Sequence, residues 1–321
     1  MRRMLLVLVV ALGTVAAGGT YAAACGDLVA ANGAVHLVRT TTLAAYHDGV
    51  EHYVTSFQFE SPEQSFGSIM PLPAAPTNVE RGGSWTLQRL QREVSPVVVD
   101  VPPDVLQAAA ANVQVLQQVQ IDALTVTVLR GGGAAVAQWA AQQGFTLPKD
   151  TPSVLDFYAR RSPYFLAARY DASSAAARGL HAGDGIPVEL TVPVSRPWVP
   201  LHILGAGKDT NELVNADVFL LTDGKPSLLA GTGLHLRKSE RAPSTLLRDL
   251  RGDENMSWVP PSAYLSYLQL SEAAARLDYD LAIGVGGRQA RLADTGATRR
   301  DALDGPTVAA VSSPPTIPIF G

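Results

Sequence analysis

His47 and His52 are the two side chains whose types and spacing could hold a metal ion. They flank Asp48-Gly49, a dipeptide that supplies the positive φ angles of a type I′ hairpin turn. With Asp48 and Gly49 as the turn residues, His47 pairs with Val50 and shares a face with His52, diagonally across the strands. Two imidazoles so placed could bind one cation with a third ligand from elsewhere. The plainer reading is polar decoration at the end of a hairpin.

Other chemistry is thinner. A strand, then Gly131-Gly132-Gly133, then a helix has the order of a phosphate-binding loop, in which glycine lets backbone N–H groups approach an anion. The G-x-G-x-x-G spacing is absent and no Lys-Ser or Lys-Thr follows, so a tight turn is the expectation. No serine sits in a G-x-S-x-G elbow and there is no H-E-x-x-H. His36, His181, His202 and His235 stand at spacings that nominate no base. Asp278 and Asp280 would share one side of a strand, as exposed decoration also would. Arg251-Gly252-Asp253 spells an adhesion tripeptide, and tripeptides arise by chance. Pro197-Trp198-Val199-Pro200 and Trp258-Val259-Pro260-Pro261 read either as a binding surface or as strand ends. No catalytic residue and no cofactor is expected.

The composition bounds the partners. Across 321 residues, 25 Lys and Arg stand against 29 Asp and Glu, for a net charge of −4. Nothing supplies the basic field that a phosphate backbone requires, which argues against nucleic acid. With 47% hydrophobic residues, there is ample material for a core. The single cysteine excludes an internal disulfide and a thiolate zinc cage.

That cysteine is also a marked position. Arg2 and Arg3 precede an apolar run that closes on Ala22-Ala23-Ala24, so residues 1–24 read as a signal peptide, too short and too soon broken by Gly18-Gly19 to span a bilayer. Cys25 follows directly. Either it is acylated as the first residue of a lipoprotein, with Ala22 in place of the usual Leu, or cleavage leaves it as a free N-terminal thiol.

These features need elements to position them. Residues 35–59 form the hairpin, and residues 66–73 a strand stopped by prolines. Helices are expected at 84–93, opening on Ser84 as N-cap, from Pro102-Pro103 to 112, at 134–143 and at 152–161. Residues 124–129 alternate as a strand, and further strands are expected at 164–170, 186–194, 198–204, 216–222, 227–236, 264–270 and 277–285. This is an α+β fold, mainly antiparallel β-sheet with short helices packed beside it, in a single integrated domain over residues 25–285, followed by a flexible tail at 286–321.

An ordered set of segments resembles a family of exported bacterial proteins, the domain of unknown function DUF2330. The set is Cys25-Gly26 after the alanines, Phe66-Gly67-Ser68-Ile69-Met70-Pro71-Leu72-Pro73, and Trp139 through Pro148. Leu155-Asp156-Phe157-Tyr158 leading to Tyr164 through Arg169, Val199-Pro200-Leu201, and Ala216 through Asp223 complete it. The resemblance implies export and a shared fold, and carries no activity or catalytic residue. Many relatives have a second cysteine near the position of Cys25; this chain has none, which removes a disulfide there.

The functional expectation is a non-enzymatic secreted or cell-envelope protein, a binding or structural module with an unidentified envelope or extracellular partner. Membrane contact would come only through the signal peptide or a lipid on Cys25, leaving the protein secreted or attached to the outer face of the cytoplasmic membrane. The alternative is an exported hydrolase or metal-dependent enzyme, with His47 and His52 as its first suspects.

Overall fold

A computed structural model describes residues 27–30, 40–57, 65–94, 114–179, 185–297 and 307–308. The signal segment, Cys25 and the helix expected from Pro102-Pro103 lie outside the described residues. The hairpin occupies the middle of the larger sheet. Its strands β2 (Thr40–His47) and β3 (Val50–Phe57) set His47 opposite Val50, and Asp48 and Gly49 take φ angles of 47° and 82°. Both turn residues are thus left-handed, as a type I′ turn requires.

From β2 the sheet continues through parallel β10 (Leu213–Thr222), antiparallel β13 (Tyr264–Ala273) and β12 (Leu234–Arg241), to a short parallel β15 (Thr307–Val308). From β3 it continues through antiparallel β9 (Ile186–Pro193) to the edge strand β5 (Asn78–Arg81). A second, wholly antiparallel sheet has the order β1 (Asp27–Ala30), β4 (Ser65–Leu72), β8 (Tyr164–Asp171), β7 (Leu124–Arg130), β6 (Gln114–Ile121). A two-stranded ribbon joins β11 (Ser227–Leu229) to β14 (Ala282–Gly284). The helices are α1 (Thr86–Val94), α2 (Gly133–Gln142), α3 (Thr151–Ala159), α4 (Ala172–Ala177), α5 (Ser244–Arg251) and α6 (Leu292–Thr295).

The larger sheet is buried on both faces. Leu43, Ala45, Phe219 and Leu221 pack with Leu87 and Leu90 of α1 and Leu246, Leu247 and Leu250 of α5, whereas Ala44, Tyr53, Val218 and Leu220 join a second cluster shared with the smaller sheet. Burial on both sides explains why Val218-Phe219-Leu220-Leu221 is an unbroken apolar run without alternation. Met70 and Leu72 of β4 meet Glu51, Tyr53 and Val192 of the larger sheet. On the opposite face of β4, Gly67 abuts Phe145, where a Cβ would lie 2.9 Å from the ring. Phe145 follows α2, so α2 and α3 cover the outer face of the smaller sheet. The layers therefore run helix, sheet, sheet, helix in one α+β domain.

Several expectations change. Residues 198–204 are not a strand. Pro197 and Pro200 carry no N–H for a ladder, the N–H groups of Leu201 and His202 bind the Asp280 side chain, and a 3-10 turn forms at His202–Gly205. Residues 114–121 form a strand of their own, joined to β7 by a turn in which Asp122, not glycine, takes a φ of 50°. Residues 244–251 form helix α5, where the sequence reading places no element. Residues 286–297, placed in the tail by sequence, pack on the body: Thr295 is buried, and its carbonyl accepts from the Asp280 N–H at 2.8 Å.

Candidate functional site

Pro163 ends the run of α3 and leaves two polar side chains facing one way, Tyr158 in the last helical turn and Arg161 just beyond it. Both reach Asp280, a buried carboxylate between β13 and β14. Tyr158 Oη donates to Oδ1 at 2.6 Å, Arg161 Nη1 bonds Oδ2 at 2.5 Å, and the N–H groups of Leu201 and His202 donate to Oδ1 at 2.9 and 3.2 Å. Tyr158 Oη in turn accepts from Ile203 N at 3.1 Å, and Arg161 Nη2 donates to the Asp294 carbonyl at 2.7 Å. One carboxylate thus ties together α3, the 198–203 loop and the segment carrying α6. Periodicity alone reads Asp280 as strand decoration, whereas its burial and four donors make it a structural hub.

Beside this hub opens a cavity of about 460 Å³. Pro73, Pro193 and Pro197 give it rigid walls, Trp198 lies between it and the core, and Arg161 and Arg196 bring in positive charge. The Arg161 guanidinium sits 4.6 Å from the Trp198 ring centre and 5.2 Å from that of Phe157, within cation–π range. Arg196 pairs with Asp294, which also receives Arg291 Nε and Nη2 at 3.0 and 2.9 Å. Behind Trp198, the fully buried Glu51 accepts the Trp198 N–H at 2.8 Å.

The titratable groups carry the marks of burial. Burial, then the charge of Asp280, pushes the Tyr158 phenol well up, so it stays protonated and donates. Burial drives Glu51 well above the usual carboxylate range, with only partial relief from the Trp198 N–H. Burial lowers the His202 imidazole against the nearby Asp280 and Asp278, and holds it neutral. Burial raises Asp294, but the hydrogen bonds of Arg291 and the charge of Arg196 outweigh it and hold the carboxyl below its ordinary value. Asp280 already accepts from four donors. It therefore acts here as a positioning group that holds α3, the 198–203 loop and the α6 segment together.

His47 and His52 do lie on one face of the hairpin, as their register requires, yet they bind different partners. His47 Nδ1 bonds Asp223 at 2.5 Å, and that bond and charge raise its pKa. His52 Nδ1 bonds the buried Glu189 at 2.8 Å, and its ring stacks on Trp258 at 4.0 Å. The ligand atoms that come within 4.8 Å of one another are those of His47, Asp48 and Asp223, all exposed, without His52. The glycine loop has a packing role: a Cβ on Gly133 would run into Asp156 of α3. The adhesion tripeptide is not presented, because Asp253 is buried and accepts from Ser84 N, Trp85 N and Thr86 Oγ1 at the start of α1.

Sequence spacing nominated neither Tyr158, Arg161 nor Arg196. The signal in the sequence is the pair Asp278 and Asp280, two charges at the head of the apolar run 281–285. The proline-flanked Trp198, read as a surface or a strand end, proves to be a cavity wall.

Among known families, the one described as an uncharacterised protein conserved in bacteria, DUF2330, matches residues 19–222. Curated proteins offer no match. Among solved structures, baculovirus P35 is 10% identical, with 78% of this chain and 97% of that chain covered and a TM-score of 0.44. A mutated baculovirus P35 after caspase cleavage is 9% identical, with 75% and 96% covered and a TM-score of 0.40. The caspase-8/P35 complex gives 9% identity, 81% and 90% coverage and a TM-score of 0.34.

Proposed function

Given that this chain belongs to the bacterial family DUF2330, we propose that it is an exported, non-enzymatic protein of the cell envelope that binds a small ligand in the cavity beside Trp198. The observation that carries this reading is a 460 Å³ cavity whose charged groups are already paired with one another. A volume of this size suits a small organic molecule. Groups held in fixed pairs orient a ligand well, while a reaction centre requires a nucleophile, acid or base left poised. Phenylalanine at the exposed, cavity-lining Ala293 tests the reading by closing the mouth. In a fragment screen by protein-observed NMR, fragments that shift cavity resonances of the wild type are expected to lose that effect in Ala293→Phe. Fragments that bind both proteins equally would place binding elsewhere and defeat the proposal.

Attachment to the outer face of the cytoplasmic membrane, or release, depends on Cys25. Mass spectrometry of the mature N-terminus decides between acylated and free thiol. A metal-dependent enzyme is the second reading, favoured by the convergence of His47, Asp48 and Asp223. It expects a saturable zinc titration that disappears in His47→Ala.

A further inference from the structure

We propose that the ligand of this cavity is a small organic anion, a carboxylate on an apolar or ring-shaped body; this rests on the binding reading above. Three guanidiniums share two carboxylates at this cavity. Arg161 and Arg196 line it, Arg291 bonds the lining Asp294, and Arg288 donates to the carbonyl of the lining Ser195. In the lining itself Arg161 and Arg196 balance Asp280 and Asp294, and Arg291 brings a further guanidinium to Asp294.

The pairing is also uneven. Asp280 is committed to Arg161 and to neutral donors, so Arg196 and Arg291 divide the single carboxylate of Asp294. A guanidinium has five N–H donors in a planar fork that suits a carboxylate. Arg196 is about 38% exposed, so its remaining donors can be reached from solvent. An incoming carboxylate supplies the second counter-charge that this arrangement lacks.

The rest of the wall fits the body of such a ligand. Prolines have no N–H, so Pro73, Pro193 and Pro197 offer apolar surface and leave anion recognition to the arginines. Trp198 adds an aromatic wall, and its Nε1–H is buried with no hydrogen-bond partner among the described residues.

Three isosteric probes separate charge from shape: benzoate, benzamide and benzylamine. The readout is the Trp198 indole N–H cross-peak in a proton–nitrogen correlation spectrum, assigned by its loss in Trp198→Phe. Benzoate is expected to shift that peak with at least tenfold tighter binding than benzamide, and benzylamine to leave it unmoved. Arg196→Gln is expected to weaken benzoate about tenfold with benzamide unchanged. Equal binding of benzoate and benzamide, or benzoate binding indifferent to Arg196→Gln, would overturn the anion assignment. If benzamide then binds the wild type and fails in Ala293→Phe, the cavity reading survives that loss. If none of the three probes moves the peak, both fall.

Discussion

Glu51 shows how one side chain can carry a pH dependence for the whole protein. It is buried with its carboxyl raised well above the ordinary value near 4.5, so the folded chain holds this proton after the unfolded chain has released it. The stability it contributes is therefore complete below about pH 4.5 and declines as pH rises towards the elevated folded value. Glu51→Gln keeps an oxygen for the Trp198 N–H and removes the ionisation. Between pH 5 and pH 8 the urea midpoint of the wild type should fall relative to that of the variant. Parallel curves for the two proteins would show that Glu51 does not titrate in this range. The position could not be singled out from sequence, where Glu51 is an ordinary hairpin glutamate between Val50 and His52. It is buried because β3 is a central strand, with β9 beyond it and the smaller sheet across from it. The same limit applied to His47 and His52. Strand periodicity placed them on one face, while their partners Asp223 and Glu189 lie 176 and 137 residues away, where local spacing has no reach.

At the level of elements, α1 takes an acceptor at its start from far along the chain. Ser84 was the expected N-cap, but the helix starts at Thr86 and Asp253, arriving from beyond α5, takes the N–H groups of Ser84 and Trp85 at 3.1 and 2.9 Å. An acidic side chain at a helix N-terminus satisfies free donors and meets the favourable end of the dipole. Here it also fastens α1 to α5, the two helices that cover the larger sheet. Asp253→Ala should cost about 2 kcal/mol, measured by urea unfolding, and should speed amide exchange in the first turn of α1. Unchanged exchange there would mean that α1 is held by Leu87 and Leu90 alone. Helix α5 itself was within reach of sequence reasoning, since Leu246, Leu247 and Leu250 have helical spacing. The β6–β7 hairpin was harder, because Asp122-Ala123 is a turn without glycine or proline. Residues 198–204 look like a strand by composition, and only the distant Asp280 side chain draws their N–H groups into a turn.

For the molecule as a whole, the helix, sheet, sheet, helix layering follows from features that sequence displays: turn residues, alternation and helical spacing. Where the folded body ends does not. Arg291 and Asp294 lie among glycines and polar residues that show no period, yet Asp294 and Thr295 hold Arg161, Arg196 and the backbone of Asp280. A chain ending after Val285 should therefore be less stable by at least about 2 kcal/mol in urea unfolding. An unaltered midpoint would show that residues 286–297 only rest on the surface.

The Asp280 hub also has a consequence in time. Arg161 finds its acceptors 119 and 133 residues further along the chain, and Tyr158 meets Asp280 122 residues after itself. During synthesis the smaller sheet and α3 are complete long before either acceptor exists. Until then Arg161 remains hydrated and the 198–203 loop has nothing to draw its N–H groups inward. Long-range closure of this kind is slow, because chain entropy must be given up before the contact is made. The cavity walls that residues 280–297 supply can close only after that stretch has been made, and a chain that stops short of Asp280 lacks them.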